Sequence, residues 1–127
     1  ELVFINAGHE SILTFDKDKK YDYIKSDMPP IGIVKYFTES MVKSNTINLK
    51  DKTFVVYTDG VTEGYLKNGQ ELGAEGVQKI IDDMPEVTPK NIVESIEKEL
   101  NWGAEKLRDD ITCMAININN TELIKKK

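Results

Sequence analysis

The run Thr53-Phe54-Val55-Val56-Tyr57-Thr58 limits what this chain can fold into more than any other segment. Its residues are β-branched or aromatic in unbroken succession, without the polar alternation of a half-exposed strand. Such a run calls for burial on both faces. It ends at Asp59-Gly60-Val61-Thr62-Glu63, so a carboxylate stands where the buried strand emerges. A second acidic motif, Asp109-Asp110-Ile111-Thr112, heads the apolar run Cys113-Met114-Ala115-Ile116. Strand ends of this kind are where hard cations are held, because rigid backbone fixes oxygen ligands that would otherwise repel one another. Metal-assisted chemistry is the first expectation.

The chain has 127 residues, enough for one domain or part of one and too few for two. Its 17 Lys and Arg against 22 Asp and Glu give a net charge of −5, which offers no general attraction to nucleic acid or to an anionic membrane. The single cysteine, Cys113, excludes an internal disulfide framework, and no Cys/His cluster has zinc-type spacing. A cytoplasmic location is expected. No apolar stretch approaches the roughly 20 residues of a membrane span. The start, Glu1-Leu2-Val3-Phe4-Ile5, lacks the basic flank of a signal peptide and an initiator Met, and it lies inside an apparent strand. A segment of a longer protein is the expectation.

Leu2-Val3-Phe4-Ile5 and Ser11-Ile12-Leu13-Thr14-Phe15 read as two strands around the turn Asn6-Ala7-Gly8-His9, hence as a hairpin. Tyr21-Asp22-Tyr23-Ile24 follows the charged turn Asp16–Lys20 as a third strand. Pro29 and Pro30 lack amide donors, so Met28–Ile33 reads as an ordered loop. Met41-Val42 and Thr46–Leu49 read as further strand segments. Beyond the strand at residues 53–58, Asn68-Gly69 marks a turn and the period becomes helical around Gly76–Ile81, limited by Pro85. A second helix starts after Thr88-Pro89, with Ile92, Val93, Ile96 and Leu100 on one face. Trp102–Arg108 reads as a loop, Ile111–Ile118 as a last strand and Lys125-Lys126-Lys127 as a solvated tail. Helices grouped together, not alternating with strands, predict an α+β fold.

The two acidic motifs would meet if the strands at residues 53–58 and 111–118 were sheet neighbours. Carboxylates brought together repel unless cations or protons compensate them. Mg²⁺ or Mn²⁺ would do so and would acidify bound water, which suits hydrolysis of a phosphate ester. Each motif also has a plainer reading. Asp-Gly after a strand is a common hairpin turn signal, and Asp109-Asp110 could be a solvated loop. His9, the one histidine, fits orientation of the backbone at its turn better than proton transfer. Trp102 reads as a loop anchor.

Asn6-Ala7-Gly8-His9, Pro30-Ile31-Gly32, Tyr57-Thr58-Asp59-Gly60-Val61-Thr62-Glu63, Asn68-Gly69-Gln70-Glu71 with Leu72-Gly73, and Asp109-Asp110-Ile111-Thr112 occur in the order and approximate spacing of one family. In these pieces the chain resembles the PPM-type, or protein phosphatase 2C-like, serine/threonine phosphatases, and among them the bacterial SpoIIE and RsbU branch. The resemblance covers nearly the whole chain. It implies a β-sandwich flanked by helices in αββα order, of which residues 1–127 would be the C-terminal part. It further implies two Mn²⁺ or Mg²⁺ ions in the complete domain, a metal-bound water attacking phosphoserine or phosphothreonine, and Asp59 and Asp109 as ligands. Asp110, often Asn in relatives, is the less certain ligand, and Gly60 is expected at the metal motif as the residue permitting a tight turn.

The family's first metal motif, with its bridging aspartate, precedes Asn6–His9 in relatives and is absent here. The resemblance therefore implies half a metal site, weak or no activity for the isolated segment, and an exposed sheet edge open to pairing with another copy as a homodimer. The implied partners are a phosphorylated protein of the anti-sigma-factor-antagonist type and a sensor or regulatory domain upstream. One alternative is a catalytically inactive regulatory module that binds a phosphoprotein. Another is the aspartyl-phosphate hydrolases, but Tyr57 stands where their nucleophilic aspartate would be, two residues before Asp59.

Overall fold

The computed structural model describes residues 1–101 and 109–118. The expected loop at residues 102–108 and the lysine tail lie outside the described residues. The elements run β1 (Leu2–Phe4), β2 (Ile12–Asp16), β3 (Tyr21–Ile24), a 3₁₀ turn (Glu39–Met41), β4 (Asn45–Ile47), β5 (Lys52–Tyr57), α1 (Asp59–Thr62), α2 (Gly73–Asp82), α3 (Pro89–Leu100) and β6 (Cys113–Asn117). The expected α+β character is observed. In hydrogen-bonded order the sheets read β1-β4 and β3-β2-β5-β6. The described residues divide into two compact units, Glu1–Phe54 with Asn117 and Ile118, and Val55–Ile116.

In the first unit, β2 and β3 pair antiparallel, with Leu13 opposite Tyr23 and Phe15 opposite Tyr21. Asp16 closes their turn: its Oδ1 accepts from the amides of Asp18 at 2.9 Å and Lys20 at 3.1 Å, while Lys19 takes a left-handed φ of 55°. The Lys20 amide also holds the Asp16 carboxyl below its usual pKa. Ile12, Leu13, Thr14 and Phe15 are all buried. Phe4 of β1 meets Phe54 of β5 edge-on at 5.5 Å between ring centroids, joining the two sheets through an aromatic pair.

The expected hairpin between residues 2–5 and 11–15 does not form. β1 pairs instead with β4, antiparallel, with Leu2 opposite Ile47 and Phe4 opposite Asn45. The intervening turn commits its polar groups elsewhere. The Asn6 side chain accepts from the His9 amide at 2.9 Å and donates to the Glu10 carbonyl at 3.1 Å. The Gly8 amide donates to Ser26 Oγ at 2.7 Å, and that hydroxyl faces the carbonyls of Asn6 and Met28. With Ala7 bridged to Met28, the turn is fastened to the loop after β3 and does not close a two-strand ribbon. Met41-Val42 is likewise not a strand: Met41 ends the 3₁₀ turn, whose Met41 and Val42 amides bond to Thr38 and Glu39.

In the second unit α2 and α3 bury one face each, Val77 and Ile81 on the first and Ile92, Ile96 and Leu100 on the second. Complete burial of a side chain such as Ile81 or Ile92 stabilises by about 1.5–3 kcal/mol relative to exposure. Thr88 caps α3 as the sequence suggests, its Oγ1 accepting from the Asn91 amide at 3.1 Å, with Pro89 in the first turn. The Asn68-Gly69 turn forms with Gly69 at φ 83° and a bridge between Tyr65 and Glu71. Helix α2 begins at Gly73, earlier than its periodicity indicates, and α1 is a third helix beyond the two expected. No described helix is long and apolar enough to cross a membrane.

Candidate functional site

Strand β5 has the burial its sequence predicts: Thr53, Phe54, Val55 and Tyr57 are buried and Val56 is half-buried. One of its two sheet neighbours is β6, so the adjacency needed to bring the two acidic motifs together is present. The Thr58 amide donates to the Thr112 carbonyl at 3.0 Å. The Thr112 amide donates to Thr58 Oγ1 at 3.1 Å, and the Thr58 hydroxyl in turn faces the carbonyls of Asp110 at 3.3 Å and Thr112 at 3.5 Å. Residues more than fifty positions apart are thereby held backbone to backbone at one strand end.

After Thr58 the chain does not make the hairpin turn that Asp-Gly can signal. It enters helix α1, with Asp59 in the first turn, the Glu63 amide donating to the Asp59 carbonyl at 2.8 Å and Thr62 Oγ1 to the same carbonyl at 3.2 Å. Asp59, Asp109 and Asp110 are all exposed. The Asp110 amide donates to Asp109 Oδ1 at 2.8 Å, which turns one carboxylate oxygen of Asp109 back on its own chain.

Gly60 is buried and lies in the turn that the Val61 amide closes on the Thr58 carbonyl at 2.9 Å. It has no positive φ and makes no left-handed turn. A Cβ at position 60 would lie 2.2 Å from the Asp110 carbonyl oxygen and 3.0 Å from its carbon. Glycine is required there because the second acidic motif packs directly on its Cα. The contact adds a second demand for glycine to that of the turn, from a partner fifty positions away.

The donors fit a hard divalent cation in kind, being carboxylate and backbone oxygens in an exposed, backbone-fixed arrangement. They fall short in number. Among the described residues no three Asp, Glu, His or Cys side chains gather into a group that could hold an ion. His9 makes local contacts, its amide donating to Asn6 Oδ1 and its Nδ1 lying 3.3 Å from the Glu10 carbonyl. That geometry agrees with orientation of the turn.

Thr112 and Cys113 also line a cleft of about 430 Å³ with Val93, Ile96, Glu97, Asn101 and Ile111. Burial there pushes the Cys113 thiol up to about 11.

Solved structures similar to this chain include PP2C domains. The SiaA-PP2C domain of Pseudomonas aeruginosa superposes with a TM-score of 0.63 at 20% identity, over 92% of this chain and 46% of that one. The phosphatase domain of the cell fate determinant SpoIIE from Bacillus subtilis, presoaked with Mn, gives 0.59 at 14% identity over 93% and 55%. The RsbU and RsbW domains of a Mycobacterium tuberculosis protein give 0.58 at 22% identity over 89% and 31%. The chain thus spans from about a third to just over half the length of these structures, and at such identities the likeness establishes the fold. No curated protein matched the chain. The sequence profile of the family described as Stage II sporulation protein E (SpoIIE) matches residues 1–119, and the chain belongs to that family.

Proposed function

We propose that this chain contributes part of the active centre of a metal-dependent protein serine/threonine phosphatase, with Asp59 and Asp109 as carboxylate ligands of a Mn²⁺ or Mg²⁺ site. The observation that carries the reading is the fastening of the two acidic motifs at one strand end, through the pairing of Thr58 with Thr112 and the contact of Gly60 with Asp110. Family membership and the PP2C-type fold support it.

When bound, a divalent cation supplies Lewis acidity toward the phosphoryl oxygens and lowers the pKa of water near it. The chain's own residues do the positioning. The end of β5 and the first turn of α1 fix the Asp59 main chain, while the Asp110 amide holds one oxygen of Asp109. The backbone carbonyl of Gly60 and the Asp110 carboxylate are further oxygens at the same strand end. The remaining donors come from outside the described residues. The substrate in this reading is a phosphoserine or phosphothreonine protein of the anti-sigma-factor-antagonist type, and a sensor or regulatory domain controls the centre.

The test uses the full-length protein, with Mn²⁺ titration and release of phosphate from a phosphoserine protein and from p-nitrophenyl phosphate. Asp59→Asn and Asp109→Asn should each weaken Mn²⁺ binding and abolish turnover while leaving the fold intact. Binding of a phosphoprotein without Mn²⁺ sites or turnover would replace this reading with that of a regulatory binding module.

A further inference from the structure

Thr58 stands at the N-cap of α1, with extended backbone angles of φ −81° and ψ 164°. A threonine in that place ordinarily turns its oxygen onto an amide of the first helical turn. Thr88 does so for α3. Thr58 makes no cap bond. Its oxygen accepts from the Thr112 amide, and its proton faces the carbonyls of Asp110 and Thr112. The local use of the hydroxyl has been exchanged for a contact across 54 positions of sequence.

Asp110 is consequently gripped from two sides, its carbonyl lying before the Thr58 hydroxyl and against the bare Cα of Gly60. The grip continues toward the acidic groups, because the amide of the same residue holds Asp109 Oδ1. We infer that Thr58 is a positioning residue, one that sets the Asp109 carboxylate relative to Asp59 through the Asp110 main chain. The inference rests on the functional reading above and adds to it a residue that is not itself a ligand. Groups that orient metal ligands in this indirect way typically change metal affinity by 10–100-fold when removed.

The experiment compares Thr58→Val, Thr58→Ala and Thr58→Ser in the full-length protein by Mn²⁺ titration calorimetry, with amide exchange at Thr112 followed in metal-free protein. Val and Ala should weaken Mn²⁺ binding by about tenfold and speed Thr112 exchange. Ser, which keeps the hydroxyl, should restore both to within about threefold of the unaltered protein. Should Val impair folding, the Ala and Ser pair carries the same comparison. Affinity unchanged in Val and Ala, or Ser as weak as Val, would overturn the role of Thr58 and leave the phosphatase reading standing. Failure of the unaltered protein to bind Mn²⁺ would overturn that reading itself, and the positioning role with it.

Discussion

Gly60 and Asp110 touch through main chain alone: the Cα of one lies so close to the carbonyl of the other that no side chain fits between them. Gly60→Ala should therefore act on both acidic motifs at once. The added methyl, 2.2 Å from a backbone oxygen, has to push the Asp110 segment away. A cost of about 1–3 kcal/mol is expected, as for other overpacking substitutions. Denaturant unfolding checks the stability, and Mn²⁺ titration should show a larger loss than Asp110→Asn, which leaves the main chain in place.

Gly8 offers a parallel case in the first unit. Its φ of 75° is disfavoured for a residue with a Cβ, and that Cβ would meet Pro30 Cγ at 2.2 Å and Pro30 N at 2.9 Å. Gly8→Ala should destabilise by about 1–3 kcal/mol. Adding Pro30→Ala removes the ring clash and not the backbone one. The double variant should recover part of the loss in urea unfolding, a non-additivity expected of touching residues.

Helix α3 depends on its cap. Thr88→Ala removes the acceptor for the Asn91 amide and should cost about 0.5–2 kcal/mol, whereas Thr88→Ser should be close to neutral. Ile96→Ala, which empties a buried position on the same helix, should cost about 2–5 kcal/mol. Unfolding midpoints of the three variants would order them.

Cys113 gives a pH signature. Its thiol titrates near 11 in the folded chain against an ordinary value of 9.0, because burial disfavours the thiolate. The folded state therefore holds its proton more tightly than the unfolded one. The contribution to stability is fully present below pH 9 and is lost as pH rises from there through 11. Iodoacetamide at pH 8 should modify the native protein more slowly than the same protein in urea, and Cys113→Ala should flatten the alkaline decline in stability.

What could be read from sequence divides along the distance of the interaction responsible. Strand β5, the Thr88 cap and the Asn68-Gly69 turn were all legible, because each is decided by neighbours within a few positions. The partner of β1 was not. Asn6-Ala7-Gly8-His9 carries every mark of a hairpin turn, yet Ser26 and Met28, some twenty positions on, take up its hydrogen bonds. Helix α1 was hidden for a related reason, since Asp59-Gly60 is a turn signal until the glycine is seen against Asp110. At the candidate site the acidic residues stood out by type and place, and the structure brings their main chains together. The hydroxyl of Thr58 carried no signal, because its partners are more than fifty residues away.

Three consecutive residues just after β5 answer three unlike demands: Thr58 supplies a hydroxyl, Asp59 a charge and Gly60 an absence of side chain. None can take over its neighbour's task. Inserting or deleting one residue between Tyr57 and Val61 would leave composition and hydropathy almost untouched while misaligning all three at once. This stretch should accordingly tolerate substitutions of like chemistry far better than any change in length, and a library of single-residue insertions would find it among the least permissive places in the chain.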